Sequence, residues 1–323
     1  MHHVVFIVYP GFELLDVSGP ASVFNGANRA LRQRGQPAAY KVVLASAEGG
    51  GVESNAGVTL ETRPIGALHP GEAQTVLVVG AEREPLLQAM ANPVLRAALP
   101  RLTAQAERFG SVCSGGFVLA ALGLFDGHRI ATHWEACKPF AAAFPKVTVD
   151  PDALYVVEGR LWTSAGVTTG IDMALAMVAR DIGAAIAGEV AGRLVLYARR
   201  PGSQSQFSPI LRAQVRADSP FADLIGWMQA HLDAALDVPS LAARAGMTER
   251  TFHRKFVAAT GETPARFVET SRLDAARLLL SRGLSLKSVA AQVGLFPPAR
   301  LAEAFERRFG IAPRLFRDMH AEL

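Results

Sequence analysis

Short apolar runs alternate with amphipathic segments through the first 200 residues of the chain. The runs at 4–9, 40–46 and 75–79 are rich in β-branched residues, as buried parallel strands are. Strands that alternate with helices favour a doubly wound α/β sheet, of the flavodoxin-like kind. Further strands are predicted at 110–113 and within 146–169, and helices at 20–34, 86–105, 117–124, 170–180 and 184–199.

One pattern occurs twice between residues 241 and 316. In each copy a phenylalanine is followed by glycine five residues later, by proline eight later and by a second phenylalanine eleven later. The step from the preceding glycine is ten residues in the first copy and eleven in the second. Two units of one supersecondary motif explain this phasing. The matching positions are Gly246, Phe256, Gly261, Pro264 and Phe267 in the first copy, and Gly294, Phe305, Gly310, Pro313 and Phe316 in the second.

Each copy has the features of a helix-turn-helix, so the second part of the chain is predicted to be all-α. In the first copy a short apolar helix ends at Gly246, which tolerates the left-handed conformation of a tight turn. Thr248 is a natural N-cap for the next helix, in which Phe252 and Phe256 are expected to face inward. The outward face carries Arg250, Thr251, Arg254 and Lys255, with His253 between the two faces.

This polar face has the side chains that a recognition helix needs, because arginine pairs with guanine edges while lysine and threonine hold phosphates. An ordinary helical hairpin with a solvated charged face is the alternative, and the second copy of the motif disfavours it. Between the copies, Thr263 and Pro264 open a connecting helix that runs to about Arg282. Its length of roughly 28 Å suits two recognition helices that lie about 34 Å apart in successive major-groove turns.

Residues 221–320 resemble the two-motif DNA-binding domain of AraC-type transcription regulators, through residues 240–256, 272–280 and 308–313. The second recognition helix departs from that family's usual polar, often basic sequence. Here it reads Pro297-Pro-Ala-Arg-Leu-Ala-Glu303. We therefore expect the first motif to read bases and the second to hold phosphates. The predicted DNA contacts are Thr248, Arg250, Thr251, Arg254 and Lys255 in the first motif, and Arg300, Arg307 and Arg308 in the second.

Length and composition favour two domains. The chain has 323 residues, half of them hydrophobic, which is enough for a sizeable core and argues against global disorder. We predict an N-terminal domain at 1–198, a linker at 199–220 that is rich in Gly, Pro, Ser and Gln, and the DNA-binding domain at 221–323. The net charge of +4 is shared evenly between the two parts, so bulk charge does not identify the DNA-binding part.

Two cysteines, Cys113 and Cys137, are too few for a disulfide framework and suit a reducing compartment. The N-terminal apolar run lacks the basic flank and cleavage site of a signal peptide. No apolar stretch has the length of a membrane span. The sequence therefore predicts a soluble, cytoplasmic protein without a membrane partner.

The chemistry of the first domain centres on Val112-Cys113-Ser-Gly-Gly116, which has the form of a nucleophile elbow at a strand-to-helix junction. The following helix N-terminus favours a thiolate at Cys113. His133 and Glu135 supply a candidate base and its orienting group, and Asp16 is a candidate to share a proton with the sulfur. The alternatives are a buried small hydrophobe at Cys113, a structural histidine beside Trp134, and a helix-capping role for Asp16. No metal site and no cofactor are predicted.

Residues 3–195 resemble the DJ-1/PfpI superfamily, which has a class I glutamine-amidotransferase-like fold, in its branch fused to AraC-type domains. The matching segments are 9–20, 112–124, 131–134, 162–172 and 200–207. The resemblance implies a ligand pocket lined by Asp16, Cys113, Ser114, Gly115 and His133. Protease-like members place histidine directly after the cysteine, and Ser114 at that position argues against peptidase activity.

Together the two resemblances imply a ligand-responsive DNA-binding transcription regulator, an activator by analogy with AraC-type proteins. The expected partners are promoter half-sites in double-stranded DNA, a second copy of the chain in a homodimer, and RNA polymerase. The expected effector is a small nitrogenous metabolite such as an amino acid, a betaine or another amine. The alternative is a cysteine-dependent hydrolase or hydratase, similar to isonitrile hydratase, with Cys113, His133 and Asp16 as its candidate catalytic residues.

Overall fold

The computed structural model describes residues 1–151, 153–196, 202, 221–309 and 311–321. The chain divides into two units, Met1–Gln206 and Phe207–Leu323, and the division falls within the predicted linker. Apart from Gly202, that linker lies outside the described residues, as does Gly310 of the second repeat. The predicted domain boundaries therefore stay predictions. None of the helices in the described part of the chain combines the length and hydropathy of a membrane span.

An eight-stranded sheet forms the centre of the first unit, in the order β3-β4-β2-β1-β5-β6-β10-β9. Its six inner strands are parallel, and the edge strands β3 and β9 are antiparallel to their neighbours. A separate parallel pair is formed by β7 and β8. The strands are β1 His2–Ile7, β2 Tyr40–Ser46, β3 Gly50–Glu53, β4 Thr59–Pro64, β5 Thr75–Val78, β6 Arg108–Val112, β7 Arg129–Ile130, β8 Thr148–Val149, β9 Tyr155–Glu158 and β10 Leu161–Ser164.

Helices cover both faces of this sheet, which confirms the doubly wound prediction. Alternate residues of β1 enter different cores: Val4 and Phe6 pack on one side, and Val5 and Ile7 on the other. The first core is covered by α1 Leu14–Gln33, α6 Thr169–Ile182 and α7 Ala184–Arg193. The second is covered by α2 Arg83–Ala91, α3 Pro93–Gln105, α4 Gly116–Ala120 and α5 Trp134–Ala143.

Four helix predictions were wrong in their bounds, and one of them, 184–199, ends at Arg193. The predicted helix 86–105 is two helices, because Asn92 accepts hydrogen bonds from the backbone N–H groups of Val94 and Leu95 and so starts a new helix. The predicted helix 117–124 ends at Ala120, after which the chain turns. The first helix begins at Leu14 and is capped by Glu13, so the capping role considered for Asp16 is wrong.

In its described residues, the second unit has helices around two small cores, one for each helix-turn-helix. Phe221, Phe252 and Phe256 belong to the first core, and Leu301 and Phe305 to the second. The connecting helix serves both, since its first half enters one core and its second half the other. The helices are α8 Ala222–Ala230, α9 Val238–Arg244, α10 Glu249–Thr260, α11 Pro264–Ser281, α12 Leu286–Gln292, α13 Pro298–Phe309 and α14 Pro313–Ala321.

Candidate functional site

Cys113 stands at the carboxyl end of β6, where the chain turns sharply into α4. Its φ of 58° lies in the left-handed region, which costs a non-glycine residue about 1–3 kcal/mol and persists only where the surroundings enforce it. Neighbouring glycines allow this crowding. A Cβ at Gly80 would lie 2.7 Å from the Cβ of Cys113, and one at Gly166 would lie 2.8 Å from its Sγ. The strand-to-helix elbow read from the sequence is therefore present in the fold.

Asp16 lies beneath this elbow and is fully buried. Its Oδ2 accepts a hydrogen bond from the Gly80 N–H at 2.9 Å, and its Oδ1 accepts one from the Val167 N–H at 2.7 Å. Burial raises the pKa of Asp16 to about 7, although the two N–H donors act in the opposite direction. The carboxyl group thus titrates near neutral pH in the folded chain.

The thiol of Cys113 is not predisposed to ionise. Burial is the main cause that raises its pKa, and the carboxyl of Asp16 raises it further, while hydrogen bonds with Ser114 only partly oppose them. The expectation that the helix N-terminus would favour a thiolate was therefore wrong, because desolvation and a neighbouring carboxylate outweigh it. A neutral thiol is a weak nucleophile, which disfavours the hydrolase interpretation.

Ser114 and Gly115 fasten the elbow to the neighbouring strand β5 and the loop after it. The hydroxyl of Ser114 donates to the carbonyl of Ala81 at 2.8 Å and accepts from the Ala81 N–H at 3.0 Å. A Cβ at Gly115 would collide with the carbonyl oxygens of Val78 and Val79. Both residues thus have a structural task, and their predicted contact with a ligand stays a prediction.

His133 directly precedes helix α5, in the segment after β7. Its Nδ1 lies 3.8 Å from Glu135 Oε2, and its ring centroid lies 5.5 Å from that of Trp134. Burial lowers the pKa of His133, and Glu135 raises it less strongly. The adjacent Thr132 donates a hydrogen bond to the carbonyl of Cys113 at 3.0 Å, which ties this segment to the elbow. Within the described residues, no hydrogen bond joins His133 to Cys113 or Asp16.

Glu13 is a member of the site that the sequence interpretation missed. Its negative charge raises the pKa values of Asp16, Cys113 and His133, so the fold brings all four groups within electrostatic range. Glu13 also caps α1, and its Oε2 accepts a hydrogen bond from the side-chain amide of Asn55 at 2.6 Å. Only the fold reveals this proximity, because Glu13 and Cys113 are far apart along the chain.

Tyr9 is a second member that was missed. Its hydroxyl donates to the carbonyl of Val79 at 2.8 Å. Burial, then the charges of Asp16 and Cys113, raise the pKa of Tyr9, so its ring lies under the same elbow. No group of three or more His, Cys, Asp or Glu side chains in the described part of the chain is arranged to hold a metal ion.

In the second unit, α10 presents the polar face that its sequence predicts. Thr248 caps the helix by accepting a hydrogen bond from the Thr251 N–H, and it donates a second one to the Thr251 hydroxyl at 3.0 Å. Arg250, Arg254 and Lys255 are exposed, and no ion pair within the described residues engages them. They are therefore available to a polyanion.

The arginines of the second motif have different surroundings. Arg300 is exposed in the first turn of α13. Arg307 forms an ion pair with Glu269, and Arg308 forms one with Asp274 at 3.5 Å, so both guanidinium groups tie the last turn of α13 to the connecting helix. Their predicted phosphate contacts stay predictions, and for Arg307 and Arg308 such contacts would compete with these ion pairs.

Comparison with known proteins agrees with this architecture. Residues 2–180 match the DJ-1/PfpI family, and residues 241–319 match the helix-turn-helix domain. The HTH-type transcriptional regulator CdhR of Pseudomonas aeruginosa is 30% identical over 95% of this chain and 89% of its own length. A crystal structure of a THiJ/PfpI family protein from Pseudomonas syringae, at 24% identity, covers 70% of this chain and 86% of its own, with a TM-score of 0.55.

Similarity to one enzyme covers a short region. Isonitrile hydratase of Pseudomonas putida is 40% identical, but over only 25% of this chain and 34% of its own length. CdhR, which spans nearly the whole chain, is a regulator instead. The comparisons thus favour a regulator over an enzyme.

Proposed function

The chain belongs to the DJ-1/PfpI family, carries an AraC-type helix-turn-helix domain and is a DNA-binding transcription regulator, and on this premise we propose that a small nitrogenous metabolite with a cationic ammonium group controls it from a pocket beside Cys113. The effector is an amino acid, a betaine or another amine that binds near Asp16, Cys113, Ser114, Gly115 and His133. The proposal adds the chemical class of the effector to the family assignment.

The electrostatics of the pocket support a cationic effector. The charges that act on the pKa values of Asp16, Cys113 and His133 come from Glu13, Asp16 and Glu135, and no lysine or arginine among the described residues contributes. Trp134 lies beside His133 and is 45% exposed, and aromatic rings of this type attract ammonium groups. A positive ligand would offset this negative charge, whereas an anion would be repelled.

A thermal-shift screen of the full chain tests the effector class. The panel pairs amino acids, betaines and polyamines with uncharged analogues of the same size. A ligand that binds only the folded chain, present at a concentration of about 100 times its Kd, stabilises the fold by about 2.7 kcal/mol. This raises Tm by several degrees. Glu13→Gln should reduce this shift, whereas Glu84→Gln, which changes an exposed carboxylate on α2, should not. Shifts from the neutral analogues alone would contradict the proposal.

The DNA contacts are proposed on the exposed face of α10. Arg250 and Arg254 are the candidates for hydrogen bonds to guanine edges, whereas Thr248, Thr251 and Lys255 hold phosphates. In the second motif Arg300, Arg307 and Arg308 are the phosphate candidates. This assignment rests on the exposed cations of the first motif, which form no ion pair among the described residues, and on the exposed Arg300. Arg307 and Arg308 would have to exchange their ion pairs for phosphates.

Salt dependence tests this assignment independently of the effector. Each phosphate contact that is lost should reduce the slope of log K against log salt by about 0.9. Lys255→Ala should therefore flatten the slope, and Arg250→Ala should also relax base specificity. Arg101→Ala, which removes an exposed cation of α3 in the first unit, is the matched control. Equal losses of affinity and specificity in Arg250→Ala and Arg300→Ala would contradict the assignment of Arg250 to bases and Arg300 to phosphates.

We further propose that the first unit dimerises, that the protein acts in the cytoplasm, and that it activates transcription together with RNA polymerase. The effector would change how two DNA-binding units are presented to adjacent half-sites. Such an effect requires that the effector bind the two arrangements with different affinity.

A further inference from the structure

We propose that the second helix-turn-helix reads pyrimidine edges in the major groove, through Phe296, Ala299 and Glu303. Thymine would be recognised by its 5-methyl group and cytosine by its 4-amino group. The inference rests on the DNA-binding function and adds the base chemistry of the second half-site. The first motif, in contrast, presents arginines that suit guanine.

The register of the two recognition helices carries the first step. Both helices have twelve residues, Glu249–Thr260 and Pro298–Phe309, and in each the eighth residue is the fully buried phenylalanine of the repeat. The fourth residue of each, Phe252 or Leu301, is also fully buried. The two helices therefore present equivalent faces to solvent.

This register matches each outward position of the first helix with one of the second. Arg250 corresponds to Ala299, and Arg254 corresponds to Glu303, and all four are exposed. The two positions at which the first motif offers arginine thus carry a methyl group and a carboxylate in the second. At these two positions the second motif therefore lacks the arginines that would hydrogen-bond to guanine.

Phe296 adds a large apolar group next to this face. It lies two residues before α13 and is 59% exposed, although its neighbour Leu295 is buried in the second core. An aromatic ring that remains in solvent at the N-terminal end of a recognition helix lies where such helices contact base edges. The apolar group available there in B-DNA is the 5-methyl group of thymine.

The carboxylate of Glu303 narrows the choice of base further. A carboxylate on a DNA-facing helix is repelled by phosphates and can only accept hydrogen bonds, and the donor it suits in the major groove is the cytosine 4-amino group. Glu303 is exposed, and no ion pair within the described residues neutralises it. Arg300, in the same exposed face, supplies the positive charge that keeps the helix close to the backbone.

The two half-sites should therefore differ in chemistry. The first would be rich in guanine on the strand that α10 contacts, and the second would carry thymine and cytosine on the strand that α13 contacts. Such asymmetry would fix the direction in which each DNA-binding unit lies on its site.

The test begins with duplexes selected by the full-length chain from a random 40-base-pair library. In the tightest of these duplexes, each thymine of the second half-site is replaced by deoxyuridine, which removes only the methyl group. We expect a loss of about threefold to fivefold in affinity at one or two thymines, in line with the burial of one methyl group. With Phe296→Ala the parent duplex should bind more weakly, and the same deoxyuridine replacements should then have no effect.

Two further variants complete the design. Glu303→Gln should shift the preferred base at one position from cytosine to adenine, because glutamine pairs with adenine in the major groove. Leu315→Ala, which truncates another exposed apolar side chain of the same unit, should leave base preference and deoxyuridine sensitivity unchanged.

The outcomes separate this inference from the function on which it rests. If the library yields no enriched duplex, sequence-specific DNA binding itself is contradicted. If duplexes are enriched but deoxyuridine has no effect with the parent chain, or acts equally in Phe296→Ala, methyl recognition by Phe296 is overturned. If Glu303→Gln retains the cytosine preference, the role of Glu303 is overturned.

Discussion

At the scale of single residues, Asp16 and Cys113 show how burial determines chemistry. Both pKa values are raised, so neither a thiolate nor a fixed carboxylate is the resting state of the pocket at neutral pH. The two backbone N–H donors from Gly80 and Val167 hold the carboxyl group in place. A cation that enters beside Asp16 would favour its ionised form, so effector binding should release a proton near pH 7.

Asp16 should make the stability of the chain depend on pH. Its pKa rises from 3.8 to about 7 on folding, so the folded state takes up a proton between these values. The resulting stabilisation is complete below the unfolded pKa and is lost as pH rises through about 7, at roughly 1.4 kcal/mol per pKa unit. Asparagine cannot titrate. The free energy of unfolding of the parent chain, relative to Asp16→Asn, should therefore fall between pH 5 and pH 8 in urea titrations.

The comparison between the two chains isolates Asp16 from other groups. The half-buried histidines His2 and His133 have lowered pKa values, so they destabilise the fold as pH falls, but they do so in both chains. A difference between the chains that stays constant with pH would show that Asp16 does not titrate in this range.

Gly166 should be the least replaceable residue of the pocket. Its φ is +87°, and any Cβ would lie within contact distance of the Cα, Cβ and Sγ of Cys113. Gly166→Ala should therefore combine backbone strain with a steric clash and cost more than about 3 kcal/mol. Gly159 has a φ of +60° with nothing within 4 Å, so Gly159→Ala should cost only about 1–2 kcal/mol.

Urea unfolding of the two variants measures the difference directly. Because both glycines have a positive φ, the excess cost of Gly166→Ala reports the contact with Cys113. Equal losses of stability would mean that the elbow can move to accept a side chain.

At the scale of elements, local chemistry explains which predictions held. The run 40–46 was predicted at its observed bounds, because its β-branched centre has no competing pattern. The strands β3 and β4 were missed, since they are short, largely exposed and defined by pairing with each other. Asn92 and Pro93 form a cap and a first helical position, a signal that was present in the sequence but overlooked.

The two candidate sites differ in how far the sequence alone could predict them. The DNA-facing residues lie on one helix, so helical periodicity alone placed Arg250, Arg254 and Lys255 on a common face. The groups around Cys113 come from segments that are distant in sequence, and only the sheet topology brings Glu13 and Tyr9 near them. Periodicity carries no information about such contacts, which is why the motifs found Cys113 and Asp16 but not Glu13 and Tyr9.

The connecting helix α11 should fix the spacing of the two half-sites. Its 18 residues span about 27 Å, and its two halves are built into different cores, so it cannot stretch. Inserting five base pairs between the half-sites read by one chain rotates the second by about half a turn and should abolish its contribution. Inserting ten base pairs returns the second half-site to the same face of the duplex but moves it about 34 Å further away. Binding should therefore remain weak in gel-shift assays. Full recovery at ten base pairs would show that the two motifs are not rigidly connected.

At the scale of the whole molecule, a sensor works only if its two sites are thermodynamically coupled. If the amine with the largest thermal shift changes DNA affinity by some factor, the DNA must change the affinity for that amine by the same factor. Both affinities can be measured by titration with the duplex selected above, and a coupling of 1–3 kcal/mol corresponds to a factor of about 5–150. Asp16→Asn should weaken both the binding of the amine and the effect of the amine on DNA affinity. The DNA affinity measured without amine should stay unchanged. If amine binding leaves DNA affinity unaltered in the parent chain, the pocket beside Cys113 does not regulate DNA binding, whichever ligand it holds.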